Sequence, residues 1–180
     1  MKILAISGSL RATSANTALL EAASLLAPAG VRVELFAGLD ALPFFNPDLD
    51  GEGMVPPPDV AAFRRLVLEA DALLICSPEY AHGVPGALKN ALDWLVSVPE
   101  LPFKPVGLLN ASPRSVHAQA SLAETLRTMS LTLVDGASIP LAVAGRGLDA
   151  GAMAADAELA ASLRAALAAL VAAATASGQA

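Results

Sequence analysis

Two runs in the chain, Lys2-Ile3-Leu4-Ala5-Ile6 and Asp71-Ala72-Leu73-Leu74-Ile75-Cys76, are apolar almost throughout instead of alternating with polar residues. A strand of that kind needs cover on both faces, which is the situation of a parallel sheet between two helix layers. The remaining segments fit this plan. Leu19, Leu20, Leu25 and Leu26 share a helical face after the first run, and residues 31–36 alternate as a second strand. Asp59 reads as the cap of a helix over 60–70, with Phe63, Leu66 and Val67 inward. Ala87, Leu88, Ala91, Leu92 and Leu95 mark the next helix, 105–109 a fourth strand, and 116–129 another helix. Residues 131–134 and 137–139 form a short strand region broken at Asp135-Gly136, and Leu159, Leu163, Leu167 and Leu170 mark a final helix. Strand and helix alternate five times, so residues 1–180 read as one α/β domain with a doubly wound sheet.

The loop after the first strand carries the most concentrated polar chemistry. Ser7-Gly8-Ser9-Leu10-Arg11-Ala12-Thr13-Ser14-Ala15-Asn16 offers hydroxyls, an amide, a guanidinium and a glycine, with no acid. It leads into a helix N-terminus, where unpaired N–H groups and a partial positive charge suit a phosphate monoester. The glycine spacing of a dinucleotide fold and the Gly-Lys-Ser/Thr of a nucleoside triphosphate loop are both missing. Two readings stand: an anion cradle, or a polar turn in which Ser14 or Thr13 caps the helix. Arg11 and the density of donors favour the cradle.

Composition narrows the function classes. A net charge of -6 and a pI near 4.8 argue against nonspecific nucleic-acid binding, so any phosphate is held locally. No apolar stretch reads as a membrane span, because the run after Arg164 is mostly Ala, and a strand within the first six residues leaves no room for a signal peptide. The single cysteine, Cys76, excludes an internal disulfide and suits a reducing, cytoplasmic compartment. At the end of a buried strand it reads as a small apolar residue. No His, Cys and carboxylate grouping has ligand spacing, so no metal is expected. Residues 37–58, rich in Gly, Pro, Asp and Asn, are either a functional loop or a surface connection held down by Leu42, Phe44 and Phe45.

A second candidate loop follows the third strand, Ser77-Pro78-Glu79-Tyr80-Ala81-His82-Gly83-Val84-Pro85-Gly86. Its prolines and glycines stiffen it, and at the carboxyl end of a central strand it can lay backbone amides along a flat ligand. The plain alternative is a structured turn whose Tyr80 simply packs. Together the two loops resemble the flavodoxin-like NADPH-dependent FMN reductase family, which includes quinone, chromate and azo-dye reductases. Gly8-Ser9-Leu10-Arg11 with Ser14 and Asn16 matches its phosphate loop. Pro78-Glu79-Tyr80 and Pro85-Gly86-x-Leu88-Lys89-Asn90-Ala91-x-Asp93-Trp94 match its second motif.

The resemblance implies a five-stranded parallel sheet of order 2-1-3-4-5 and an FMN cofactor reduced by NAD(P)H. It implies that Ser9, Arg11, Ser14, Ala15, Asn16 and Thr17 hold the phosphate. Pro78, Glu79, Tyr80 and Ala81 then line the ring system, with Ser112 on its other side. Two substrate contacts are read from position: His82, in the ligand-facing loop, meets the substrate at the flavin edge or is simply solvent-exposed, and Arg114 meets a dinucleotide phosphate or acidic acceptor or is simply solvated. No side chain is expected to act as a catalytic nucleophile or acid, because the flavin carries the redox chemistry. The acceptor is a small molecule such as a quinone, free flavin, azo dye or chromate. The resemblance also implies a homodimer, or a dimer of dimers, with Lys89, Asp93 and Trp94 facing the partner; the alternative is a solvated Lys89 and Asp93 face with Trp94 packed internally. Two departures stand out: Ala81 and Gly83 occupy positions where the family often has Asn and Ser. The competing reading is a noncatalytic FMN-binding electron carrier or sensor of flavodoxin type. His117, inside a helix, reads as structural or exposed.

Overall fold

The computed structural model describes residues 1–51 and 53–178. Strands β1 (Lys2–Ser7), β2 (Arg32–Leu35), β3 (Ala72–Cys76), β4 (Pro105–Leu109) and β5 (Thr132–Leu133) form one parallel sheet of order β2-β1-β3-β4-β5. Helices α1 (Ala15–Leu25), α2 (Pro58–Glu69), α3 (Gly86–Asp93), α4 (Val116–Thr128), α5 (Ala150–Ala155) and α6 (Ala157–Ser177) cover it. This is the flavodoxin-like arrangement expected.

The apolar strands divide their residues between two cores, as their pleat demands. Ile3 and Ala5 of β1, with Ala72, Leu74 and Cys76 of β3, join the α1, α5 and α6 side. Leu4 and Ile6, with Leu73 and Ile75, join the α2, α3 and α4 side. Registers such as Leu4 with Leu73 and Ile75 with Leu108 keep both faces continuous. Gly107 is required for packing: a Cβ there would sit 3.0 Å from both Ala137 Cβ and Leu74 Cδ1.

Several local expectations are corrected. Asp59 is no side-chain cap: α2 starts one residue earlier at Pro58, whose fixed φ suits a first turn, and Asp59 lies within that turn. Leu25 is exposed, because Ala22 and Ala23 turn inward and carry the core face. Residues 137–139 are no strand; Asp135–Ala137 is a short 3-10 turn that leads into a bridge between Pro140 and Asn110. Helix α5 was not anticipated. Helix α6 is long and apolar enough to cross a membrane by length and composition, yet Leu159, Leu163, Leu167 and Leu170 pack into the core beside the sheet.

Trp94 is the largest correction. It is fully buried within this chain, so it does not face a partner. The connection over 37–57 covers it: Trp94 Nε1 and Asn90 Nδ2 both donate to the Pro43 carbonyl, at 2.8 and 2.9 Å. Phe45 packs edge-on against the indole, and its amide donates to Asn90 Oδ1 at 2.8 Å. Arg64 ties the same segment from α2 through Asp50 Oδ1 at 2.6 Å. Leu42 is buried as expected, whereas Phe44 is 90% exposed and fastens nothing.

Candidate functional site

At the carboxyl ends of the strands, the loops after β1, β3, β4 and β5 are fastened to their neighbours. The β1 loop meets the β3 loop through the Gly8 amide, which donates to the Cys76 carbonyl at 2.9 Å. Gly8 is crowded there: a Cβ would lie 2.4 Å from Ser77 Oγ and 3.0 Å from Leu88 Cδ2. The β3 loop meets α4 through Glu79 Oε2, which accepts from the Ala118 amide at 2.8 Å. The chain after β5 crosses the end of β4, where the Leu141 amide donates to the Asn110 carbonyl at 2.7 Å.

The phosphate loop is built by local hydrogen bonding. Ser9 Oγ accepts from the Arg11 amide at 3.3 Å, and the Ser9 amide donates to Ser7 Oγ. Ser14 is the N-cap of α1, as one of the two sequence readings had it, and its Oγ accepts from Thr17 N–H. Capping does not use up the donors: Ala15 and Asn16 stand in the first turn, where amides have no intrahelical acceptor. Thr17 Oγ1 and Ser7 Oγ share a hydrogen bond at 2.8 Å. Asn16 Oδ1 accepts from Cys76 Sγ–H at 3.3 Å, which leaves its Nδ2 to donate. Arg11 is exposed and has no carboxylate partner among the described residues.

The β3 loop holds a tight hairpin. Tyr80 and Gly83 exchange both backbone hydrogen bonds, at 3.1 and 2.9 Å, around Ala81 and His82. Both central residues have positive φ, +49° and +61°, the signature of a type I′ turn. Such turns favour Asn-Gly, so Ala-His is strained, at a cost of order 1–3 kcal/mol per residue. This accounts physically for the Asn often found at position 81 in the resembled family. Pro78 and Glu79 lead into the turn half-buried, and Tyr80 is largely exposed. Because the Glu79 carboxylate points to α4, the loop presents main chain rather than an acid.

Past β4, the buried Asn110 organises the third loop: its Oδ1 accepts from the Ser112 amide at 3.0 Å, and its Nδ2 donates to the Ser115 carbonyl. Ser112 Oγ accepts from Arg114 N–H, and the Arg114 side chain is exposed. His117 stacks on His82, with ring centroids 4.3 Å apart. No local pattern pairs these histidines, since 35 residues separate them. Cys76 is wholly buried, and burial pushes its thiol up to about 12, with a backbone hydrogen bond at Ala111 acting the other way. It is therefore an inert thiol, as expected.

One part of the site escaped sequence reading. A cleft of about 560 Å3 runs from Arg11 and Ser14 along α1 to Glu21, and its opposite wall is a strap from Gly145 to Ala150. The two strap glycines and the capping Asp149 ahead of α5 were the only available signals. The donor set as a whole fits a flavin mononucleotide: hydroxyls, free amides and a guanidinium for phosphate, and a rigid main-chain turn for a flat ring.

The comparisons with known proteins agree with this chemistry. The family described as NADPH-dependent FMN reductase matches residues 1–146. An NAD(P)H-dependent FMN reductase of Pseudomonas aeruginosa is 39% identical over 155 residues, 83% of this chain and 82% of that one. An NADPH:quinone oxidoreductase of Arabidopsis thaliana is 44% identical over 104 residues, but the chain spans only 52% of its length. Among solved structures, a flavoenzyme NAD(P)H:(acceptor) oxidoreductase from Paracoccus denitrificans superposes with a TM-score of 0.76 at 26% identity, covering 97% of each chain. This chain belongs to the NADPH-dependent FMN reductase family.

Proposed function

We propose that the protein is an FMN-dependent NAD(P)H oxidoreductase that passes electrons to a small acceptor such as a quinone or free flavin. The observation that carries this reading is the locked contact between two unlike loops, a donor-rich phosphate loop and a rigid main-chain turn, at Gly8 and Ser77. When bound, FMN accepts hydride from NAD(P)H and delivers electrons to the acceptor.

The chain's own residues bind and orient. Arg11 supplies the positive charge, and the Ala15 and Asn16 amides with the α1 N-terminus supply fixed donors. Hydroxyls of Ser9 and Ser14 still carry protons to donate while accepting from neighbours, and the paired Ser7 and Thr17 hydroxyls have one proton between them left to donate. Asn16 adds Nδ2. Pro78, Glu79, Tyr80 and Ala81 line the ring through main chain, and Ser112 bounds its other side. His82 and Arg114, both exposed, meet the substrate. No side chain is needed as nucleophile or acid. The carrier reading is the weaker one, because the relatives are reductases.

Homodimer formation belongs to the same reading. Exposed Phe44 and Val96 flank the Trp94 region and support a covered face there, while Trp94 itself stays internal. Cytoplasmic placement rests on the single buried cysteine.

The decisive test is titration of the apoprotein with FMN and with riboflavin, for wild type and Arg11→Ala. A charge-assisted hydrogen bond contributes about 1.5–3 kcal/mol, so FMN affinity should fall about 10- to 150-fold while riboflavin affinity holds. Equal losses for both ligands would place the phosphate elsewhere. Anaerobic NADH or NADPH should then bleach the bound flavin, and a quinone should restore its colour; a flavin that neither can reduce would favour the carrier.

A further inference from the structure

The cleft beside the phosphate loop is larger than a phosphate needs. At about 560 Å3 it matches sites for nucleotide-sized ligands. Arg11, Ser14 and Thr17 line its near end, yet none of Pro78, Glu79, Tyr80, Ala81 or Ser112 does. It continues along α1 past Ala18, so it extends from the phosphate away from the ring-lining turn.

Beyond the phosphate donors its lining has a different chemistry. Glu21 and Asp149 bring two carboxylates, and Ala18, Leu148 and Ala150 form an apolar lining. Asp149 Oδ1 is engaged by the Ala152 amide at 2.8 Å, which leaves its second oxygen to accept. A carboxylate recognises the vicinal hydroxyls of a ribose and repels a 2′-phosphate, while an apolar surface suits a purine. The opposite wall is fixed. Gly145 and Gly147 take left-handed φ of +84° and +66°, and Arg146 holds Asp156 at 3.0 Å.

We propose that this cleft is a subsite for the adenosine 5′-phosphate moiety of a dinucleotide, recognised through an unphosphorylated ribose. The inference rests on the flavin reading above and extends it from a mononucleotide to a dinucleotide. Two dinucleotides carry that moiety, FAD and a nicotinamide dinucleotide, and calorimetric titration separates them without turnover.

In the first arm the apoprotein is titrated with FMN and FAD; in the second the FMN-loaded protein is titrated with NAD+ and NADP+. Ala150→Trp fills the cleft, and Glu21→Ala, at an exposed helix position, removes the ribose acceptor. Both are checked for folding by circular dichroism. If FAD is the source, wild type binds FAD at least tenfold more tightly than FMN, and either variant removes that advantage with FMN affinity within twofold. If the nicotinamide dinucleotide is the source, FAD gains nothing, NAD+ binds more tightly than NADP+, and Glu21→Ala weakens NAD+ about tenfold and erases the preference. Should Ala150→Trp fail to fold, Glu21→Ala decides alone. FMN binding with neither pattern overturns the subsite. Failure of FMN itself to bind overturns the flavin reading, and the subsite with it.

Discussion

Gly8→Ala tests how the two site loops are held together. The Gly8 amide donates to the Cys76 carbonyl, so the loop after β1 lies directly on the start of the loop after β3. A methyl at position 8 would fall 2.4 Å from Ser77 Oγ, 2.9 Å from Ser77 Cβ and 3.0 Å from Leu88 Cδ2. Rotating Ser77 relieves only the first contact, because its Cβ does not move with χ1, and Leu88 is fully buried. The backbone has to open. Overpacking of this kind costs about 1–3 kcal/mol. For a chain of this size each kcal/mol lowers Tm by about 2–4 °C. Urea unfolding should report that loss, and FMN affinity should fall with it, since the phosphate loop is what shifts. Adding Ser77→Gly removes the hydroxyl and Cβ contacts together and should recover most of the stability, giving a coupling of about 1 kcal/mol or more in a double-mutant cycle. Two results would refute this reasoning: Gly8→Ala with unchanged stability, or strict additivity of the two substitutions.

Three further outcomes follow from single contacts. Ala81→Asn should raise stability by about 0.5–1 kcal/mol, because Asn tolerates the left-handed region that Ala81 occupies at φ +49°; an unchanged melting midpoint would remove turn strain from the account. Arg64→Ala leaves the Asp50 carboxylate, 7% exposed, with Ser97 as its remaining partner, and should cost about 3 kcal/mol and speed proteolysis within residues 37–57. The Leu159 amide and then Arg146 hold the Asp156 carboxyl below its ordinary 3.8. A lowered carboxyl stabilises above its unfolded value and loses that effect as pH falls through its folded value. Protection of the Leu159 amide, relative to its intrinsic exchange rate, should therefore fall as pH drops below Asp156's ordinary carboxyl range, and Asp156→Asn should abolish that acid dependence.

What was legible in the sequence depended on whether the signal was local. Strands β1, β3 and β4 announce themselves because a run covered on both faces must be apolar at every position. Helix α6 shows through its Leu spacing, whereas α5, Ala-Gly-Ala-Met-Ala-Ala, has no periodic contrast to read. The phosphate loop and β3 loop are legible because residue identity carries their chemistry. Trp94 misled because a general enrichment of Trp at interfaces says nothing about the segment 51 residues earlier in the chain that covers it with the Pro43 carbonyl. The strap over 145–150 was missed for a related reason: it reaches the phosphate loop only because β5 is two residues long and the chain then crosses the end of β4. The His82 and His117 stack is likewise a product of topology.

A chain of net charge -6 can hold a phosphate because distance and salt decouple the site from the total. At physiological ionic strength, exposed charges more than about 8 Å apart are largely screened, so the bulk of the acidic surface contributes little at the loop. What acts there is Arg11 and the α1 N-terminus, neither neutralised by a carboxylate within residues 7–16. The near acids are turned to other work. Glu79 accepts from the α4 N-terminus, and Glu21 stands at the far end of the cleft. The loops are also held by bonds of their own, made by Ser9, Ser14, Thr17, Asn110 and the Tyr80–Gly83 pair. Binding therefore has little backbone left to order, which is the condition under which a few donors suffice for useful affinity. The strained Ala81-His82 turn fits the same account: the Gly8 amide on the Cys76 carbonyl and Glu79 on Ala118 fasten the chain leading into it, and the two Tyr80–Gly83 hydrogen bonds close it.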